Sequence, residues 1–181
     1  MIERNIVLTG FMGTGKTVTG RMLASVLNVD FIDTDAVIVE RENMAVARIF
    51  QVKGEAYFRD VESVVIEEVS RRKGCVISTG GGAVIMEKNL LALKKNGIVI
   101  CLTADPAIIL LRTSSSKDRP LLLKSKDAIA TIRHILKERR PYYLKADHTI
   151  DTSAHSTEDT VKAIMGIIKE DKDYAGDKDK A

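Results

Sequence analysis

The sequence predicts an α/β protein in which a parallel sheet is covered by helices on both faces. Three observations carry this. Short apolar runs alternate with longer segments of helical periodicity along the 181 residues. The runs are aliphatic and unbroken, as strands buried on both faces are. The stretch "GFMGTGKT" (10–17) joins the first run to the first helical segment, placing a glycine-rich turn between strand and helix.

The elements follow in order. "NIVLT" (5–9) reads as a buried strand that stops at Gly10. "KTVTGRMLASVLN" (16–28) reads as an amphipathic helix, with Val18, Met22, Leu23 and Val26 expected on its buried face. "VDFID" (29–33) is a short second strand, and 35–53 holds two short helices. "GEAYFRDVESVVIEEVSRRKG" (54–74) is a long helix with Phe58, Val61, Val65 and Val69 as its apolar stripe, basic residues in its last turn and Gly74 as its stop. Further strands are expected at 75–78, 97–103 and 148–150, with helices at about 88–96, 105–113, 126–145 and 157–170. Asp105-Pro106 has the form of an N-cap followed by proline at the first helical position. Residues 114–125, rich in serine and charge, read as a mobile loop, and the charged end "KEDKDYAGDKDKA" as a frayed tail.

Composition narrows the class. Hydrophobic residues make up 45% and charged residues 29%, as in globular proteins, and the 4% aromatic share without tryptophan leaves an aliphatic core. The net charge of +3 allows anionic small molecules, and no Lys/Arg block interleaved with aromatics points to nucleic acid. No run approaches the ~18 apolar residues of a membrane span. The opening "MIERNIVLTG" carries charges where a signal peptide would be apolar, so a cytoplasmic location is expected. Cys75 and Cys101 sit inside apolar runs and read as buried free thiols.

Gly10, Gly15, Lys16 and Thr17 fit G-x-x-x-x-G-K-[ST] between a strand and a helix, the context that a phosphate-binding loop requires. Glycines let the backbone turn its N–H groups inward around an anion, and the helix start adds partial positive charge. Lys16 brings a full charge to the β- and γ-phosphates, and the Thr17 hydroxyl is a hard oxygen ligand for Mg²⁺. The loop makes room for a triphosphate; the rest of the chain must say what receives the phosphate. "DTD" ends the second strand, where α/β sheets bind ligands. One of Asp33 and Asp35 serves the metal shell while the other reaches a substrate hydroxyl, or Asp35 merely caps a helix over 36–42. "STGGGAV" (78–84) ends the third strand in three glycines, through which a ligand can approach bare backbone. Arg59, beside Phe58 of the stripe, is either a cleft residue or a solvated one; Arg119, Arg139 and Arg140 are ambiguous singly.

Taken together, the loop at 10–17, "DTD" (33–35), "GEAYFR" (54–59), "TGGGAV" (79–84), "RPLL" (119–122) and "RRPYY" (139–143) resemble the shikimate kinase family, over about residues 4–152. The resemblance implies a P-loop kinase fold: a five-stranded parallel sheet of order 2-3-1-4-5, one domain over 1–170 with an acceptor-binding helical region at about 34–60, a lid at about 113–125, and a tail at 171–181. It implies ATP-dependent phosphorylation of the shikimate 3-hydroxyl, with Mg²⁺, by a monomer. Asp35 then contacts the acceptor hydroxyls as general base, and Asp33 stands near Mg²⁺ beside Thr17. Arg59 and Arg139 hold the shikimate carboxylate, Arg139 being preferred to Arg140 because it fits R-x-P-x-Y. Gly80, Gly81 and Gly82 line the acceptor, with Gly81 the most direct contact. Gly13, Thr14, Gly15, Lys16, Thr17 and Val18 hold the nucleotide, Arg119 reaches its phosphates from the lid, and Arg112 stacks near adenine. The segment "DTSAHST" (151–157) departs from the pattern, lacking basic and proline residues, and His155 reads as a solvated loop residue. The rivals are a gluconate-type or nucleoside monophosphate kinase and a silent kinase-like binding protein. The lack of N-K-x-D argues against a GTPase.

Overall fold

A computed structural model describes residues 3–114 and 127–171. Five parallel strands form one sheet: β1 (Asn5–Thr9), β2 (Phe31–Asp33), β3 (Val76–Ser78), β4 (Gly97–Thr103) and β5 (His148–Asp151), in the order β2-β3-β1-β4-β5. The expected alternation and strand order are both present. Side chains alternate across each strand, so the sheet divides the core in two. Val7, Val99 and Cys101 face one cluster; Ile6, Leu8, Ile98, Ile100 and Leu102 face the other.

Helices cover both faces. On one lie α1 (Lys16–Leu27) and α7 (Thr157–Glu170), and on the other α2 (Thr34–Glu42), α3 (Val46–Ser70), α4 (Glu87–Asn96), α5 (Pro106–Thr113) and α6 (Ala128–Tyr143). The Asp105 side chain caps α5 by accepting from the Ala107 N–H at 2.8 Å, with Pro106 at the first position, as its sequence predicts.

Two expectations need correction. Val18 and Val26 do not face the core; they are 61% and 59% exposed. The buried face of α1 runs through Lys16, Thr19, Gly20, Leu23 and Ala24. A Cβ on Gly20 would stand 2.6 Å from the Phe31 ring, so the helix lies on its smallest residues and approaches the sheet closely. The long helix ends at Ser70, four residues before Gly74, and its last turn carries no basic residue. Asn5 and Asn96 side chains donate to the Ser70 carbonyl, at 3.5 and 3.1 Å, and so satisfy an orphan acceptor of the helix end. The 35–53 region does hold two short helical pieces. The second runs into the long helix through a break at Gly54, where φ is +85° and ψ 168°.

Cys75 and Cys101 are buried free thiols, as expected. Burial pushes the Cys101 thiol up to about 11. Among the described residues no helix is long and apolar enough to cross a membrane. Arg119, most of the expected lid and the tail beyond Asp171 lie outside the described residues.

Candidate active site

The loop between β1 and α1 owes its shape to glycines at positive φ. Gly10, Gly13 and Gly15 have φ of +131°, +77° and +92°. At Gly10 a side chain is also excluded by space, since a Cβ would stand 2.1 Å from the Leu102 carbonyl oxygen. Gly15 caps α1 without any side-chain hydrogen bond, which leaves the first helical N–H groups facing an anion site. Lys16, only 9% exposed, folds back to donate to the Phe11 carbonyl at 2.9 Å.

This loop lines a cavity of about 430 Å³. Of the residues expected to bind nucleotide, Gly13, Thr14, Gly15, Lys16, Thr17, Val18 and Arg112 line it, as do Asp33, Asp35 and Gly81, while Arg119 lies outside the described residues. Val18, exposed because it is turned from the core, thus borders the cavity instead. His155 also borders it, from an exposed position. Arg112 is braced against Thr152, donating to its carbonyl at 2.8 Å and its hydroxyl at 3.0 Å. The Thr152 hydroxyl in turn lies in donor reach of the Thr14 carbonyl at 3.1 Å and the Thr103 carbonyl at 3.0 Å.

The two aspartates divide their work differently from the alternation expected of a continuing strand. β2 stops at Asp33, whose Oδ1 caps α2 by accepting from the Asp35 and Ala36 N–H groups. Asp33, not Asp35, is therefore the cap. Its other oxygen accepts from the Thr17 hydroxyl at 2.9 Å. Asp35 sits in the first turn of α2, half-buried.

The glycine turn 80–82 lies against Asp35 on its other side. None of its three glycines has positive φ; what requires them is close approach. A Cβ on Gly80 would stand 2.7 Å from Asp35 Oδ1 and 2.8 Å from Glu62 Oε1, and one on Gly82 would stand 2.6 Å from Arg59 Nη2. The Gly80 N–H donates to the Thr34 hydroxyl at 3.2 Å. Arg139 donates to the Gly81 carbonyl at 3.3 Å, while Arg140 is exposed. Asp35, Arg59, Arg139 and the glycines are thus one constellation beside the phosphate loop.

Sequence reasoning missed Glu62. It is fully buried in α3, and its Oε2 accepts from Arg59 Nη1 at 2.7 Å. Burial raises its pKa above the ordinary value, with Asp35 adding to the rise and Arg59 opposing it. Burial works against the Arg59 charge, but Glu62 and Glu55 hold its pKa above the usual arginine range. The Arg59 guanidinium lies over the Phe50 and Phe58 rings, 5.9 and 5.4 Å from their centroids. One signal for Glu62 was available: position 62 falls on the stripe that runs through 58, 65 and 69.

A glycine-built phosphate loop whose cavity Asp35 borders, with Arg59 and Arg139 on the adjoining glycine turn, defines a P-loop kinase. The chain belongs to the shikimate kinase family, whose model, described as shikimate kinase, matches residues 12–169. A shikimate kinase of Caldanaerobacter subterraneus is 46% identical over 162 residues, covering 90% of this chain and 94% of that protein. One of Thermoanaerobacter pseudethanolicus is 45% identical over 170 residues, covering 92% and 99%. The structure of Acinetobacter baumannii shikimate kinase in complex with shikimate superposes with a TM-score of 0.89 at 38% identity, covering 94% of this chain and 95% of that one. The Aquifex aeolicus shikimate kinase gives 0.76 at 34%, covering 91% and 96%.

Proposed function

We propose that this chain transfers the γ-phosphoryl group of ATP to the 3-hydroxyl of shikimate, giving shikimate 3-phosphate and ADP. One observation carries the reading. Asp35 borders the same cavity as Lys16, while its carboxylate packs on the glycine turn that touches Arg59 and Arg139. A single side chain therefore stands between the phosphate loop and the arginine pair.

The roles follow from chemistry. Loop N–H groups and Lys16 hold the β- and γ-phosphates, with Arg119 joining them from the lid as the family resemblance implies. Arg112 borders the nucleotide cavity and supplies a flat cation for the adenine. Arg59 and Arg139 hold the acceptor carboxylate, to which a guanidinium fork is matched. Gly80, Gly81 and Gly82 let the ring lie against backbone. Asp35 takes the proton from the attacking hydroxyl, so that an alkoxide-like oxygen forms in line with the leaving ADP. Thr17 and Asp33 offer hard oxygens 2.9 Å apart, a donor set that suits Mg²⁺. Held there, Mg²⁺ would supply neutralisation of charge on the phosphates. The acceptor region at about 34–60, the lid and a single domain over 1–170 complete the reading, for a cytoplasmic monomer in aromatic amino acid biosynthesis.

The test is ADP release from Mg-ATP, with shikimate, gluconate, quinate, AMP and CMP compared against an acceptor-free blank. Turnover with shikimate is expected. Turnover with one of the others instead would keep the fold and overturn the roles of Arg59 and Arg139.

A further inference from the structure

Tyr143 is the last residue of α6 and is only 6% exposed. Its hydroxyl donates to the Gly81 carbonyl at 2.6 Å. Arg139, one helical turn earlier, donates to the same oxygen at 3.3 Å. A carbonyl oxygen has two acceptor positions, and these two donors occupy them. Because a peptide unit is planar, holding the 81 carbonyl also fixes the direction of the Gly82 N–H.

On its other side Gly81 neighbours the phosphate loop: a Cβ there would come within contact distance, 3.4 Å, of the Gly10 carbonyl oxygen and the Met12 nitrogen. The glycine turn thus lies between the phosphate loop and α6. Gly82 meets Arg59 on the third side. A ring at position 143 would fill its apolar surroundings without an oxygen. The oxygen serves the Gly81 carbonyl. Burial pushes this hydroxyl up to about 12, so it carries its proton across the working pH range and remains a donor.

We propose that Tyr143 is a positioning residue for phosphoryl transfer: through the Gly81 carbonyl it holds the glycine turn, and with it Arg139, in register with the phosphate loop. This rests on the reading above, in which the acceptor lies against residues 80–82. It adds to that reading a residue that touches neither substrate.

The experiment is Tyr143→Phe in the full chain, which keeps the ring and removes only the hydroxyl. Shikimate affinity is read by calorimetry, both Michaelis constants by steady-state kinetics, and amide exchange over 79–83 by mass spectrometry. Losing one neutral hydrogen bond predicts shikimate Kd and KM raised about two- to tenfold. KM for ATP stays within about twofold, and exchange over 79–83 is faster. The neighbouring Tyr142→Phe is the control and keeps wild-type values. Unchanged shikimate binding with unchanged exchange would overturn the proposal. Equal rises in both Michaelis constants with a lowered melting temperature would also overturn it, as the mark of a purely structural role. Failure of the underlying reading shows differently, because wild-type protein would then bind no shikimate at all.

Discussion

Glu62 is a fully buried carboxylate that shares its surroundings with Asp35 and pairs with Arg59. Its pKa lies above the ordinary 4.5, so the folded state binds a proton more readily than the unfolded state. The contribution of Glu62 to stability is therefore full below about 4.5 and is lost as pH rises through the folded value. Melting curves of wild type and Glu62→Gln should diverge accordingly as pH rises above about 4.5, with the variant gaining on wild type. A difference that stays constant with pH would refute this. Asp35→Asn is expected to lower kcat by about two to four orders of magnitude and to leave shikimate binding within a few-fold, since the amide keeps the shape and loses the base. Wild-type turnover by that variant would remove Asp35 from its role. At this scale legibility in the sequence followed chemistry: Lys16 and Thr17 announce themselves by spacing. Glu62 does not, because "ESVVIEEVS" (62–70) carries glutamates on both its buried and its exposed faces, and a buried carboxylate has the same letter as a solvated one. Asp33 and Asp35 were seen as a pair, but which one caps α2 depends on where β2 ends, which three letters do not reveal.

Among the elements, α3 is the most instructive. Its break at Gly54 has a backbone conformation (φ +85°, ψ 168°) reached almost only by glycine, although nothing lies within 4 Å of the missing Cβ. Alanine there would meet no clash, only backbone strain. Gly54→Ala is expected to cost about 1–3 kcal/mol, a melting temperature lower by roughly 3–10 °C. Thermal denaturation measures this directly, and an unchanged or raised midpoint would show that the break is not needed. The break lets one stretch of chain supply both Phe50 and Phe58, whose ring centroids lie 4.6 Å apart beside Arg59. The strands and most helix positions were legible because apolar runs and helical stripes both report burial. The buried face of α1 was not, because close packing there selects Gly20 and Ala24, and small size leaves little hydrophobic signal. The end of α3 was displaced from its expected stop for a similar reason: the amides of Asn5 and Asn96, remote in sequence, finish the helix before Gly74 is reached.

For the whole molecule, the two-sided core followed from the alternation of elements, and the strand order from the family resemblance. The contacts that join distant segments at the site did not, since each depends on pairs of residues far apart in the chain. The brace from Thr152 to Thr14 spans 138 residues, and the space left by Gly10 is filled by the Leu102 carbonyl. The phosphate loop is therefore synthesised well ahead of the segments that give it its final supports. At usual elongation rates the interval is roughly ten to thirty seconds. Until β4 and the segment after β5 have been synthesised, the nascent loop has its glycines and its lysine but lacks the walls that hold their shape. A message cut short before Thr152 would thus encode the whole nucleotide signature and still yield a polypeptide with an unsupported one.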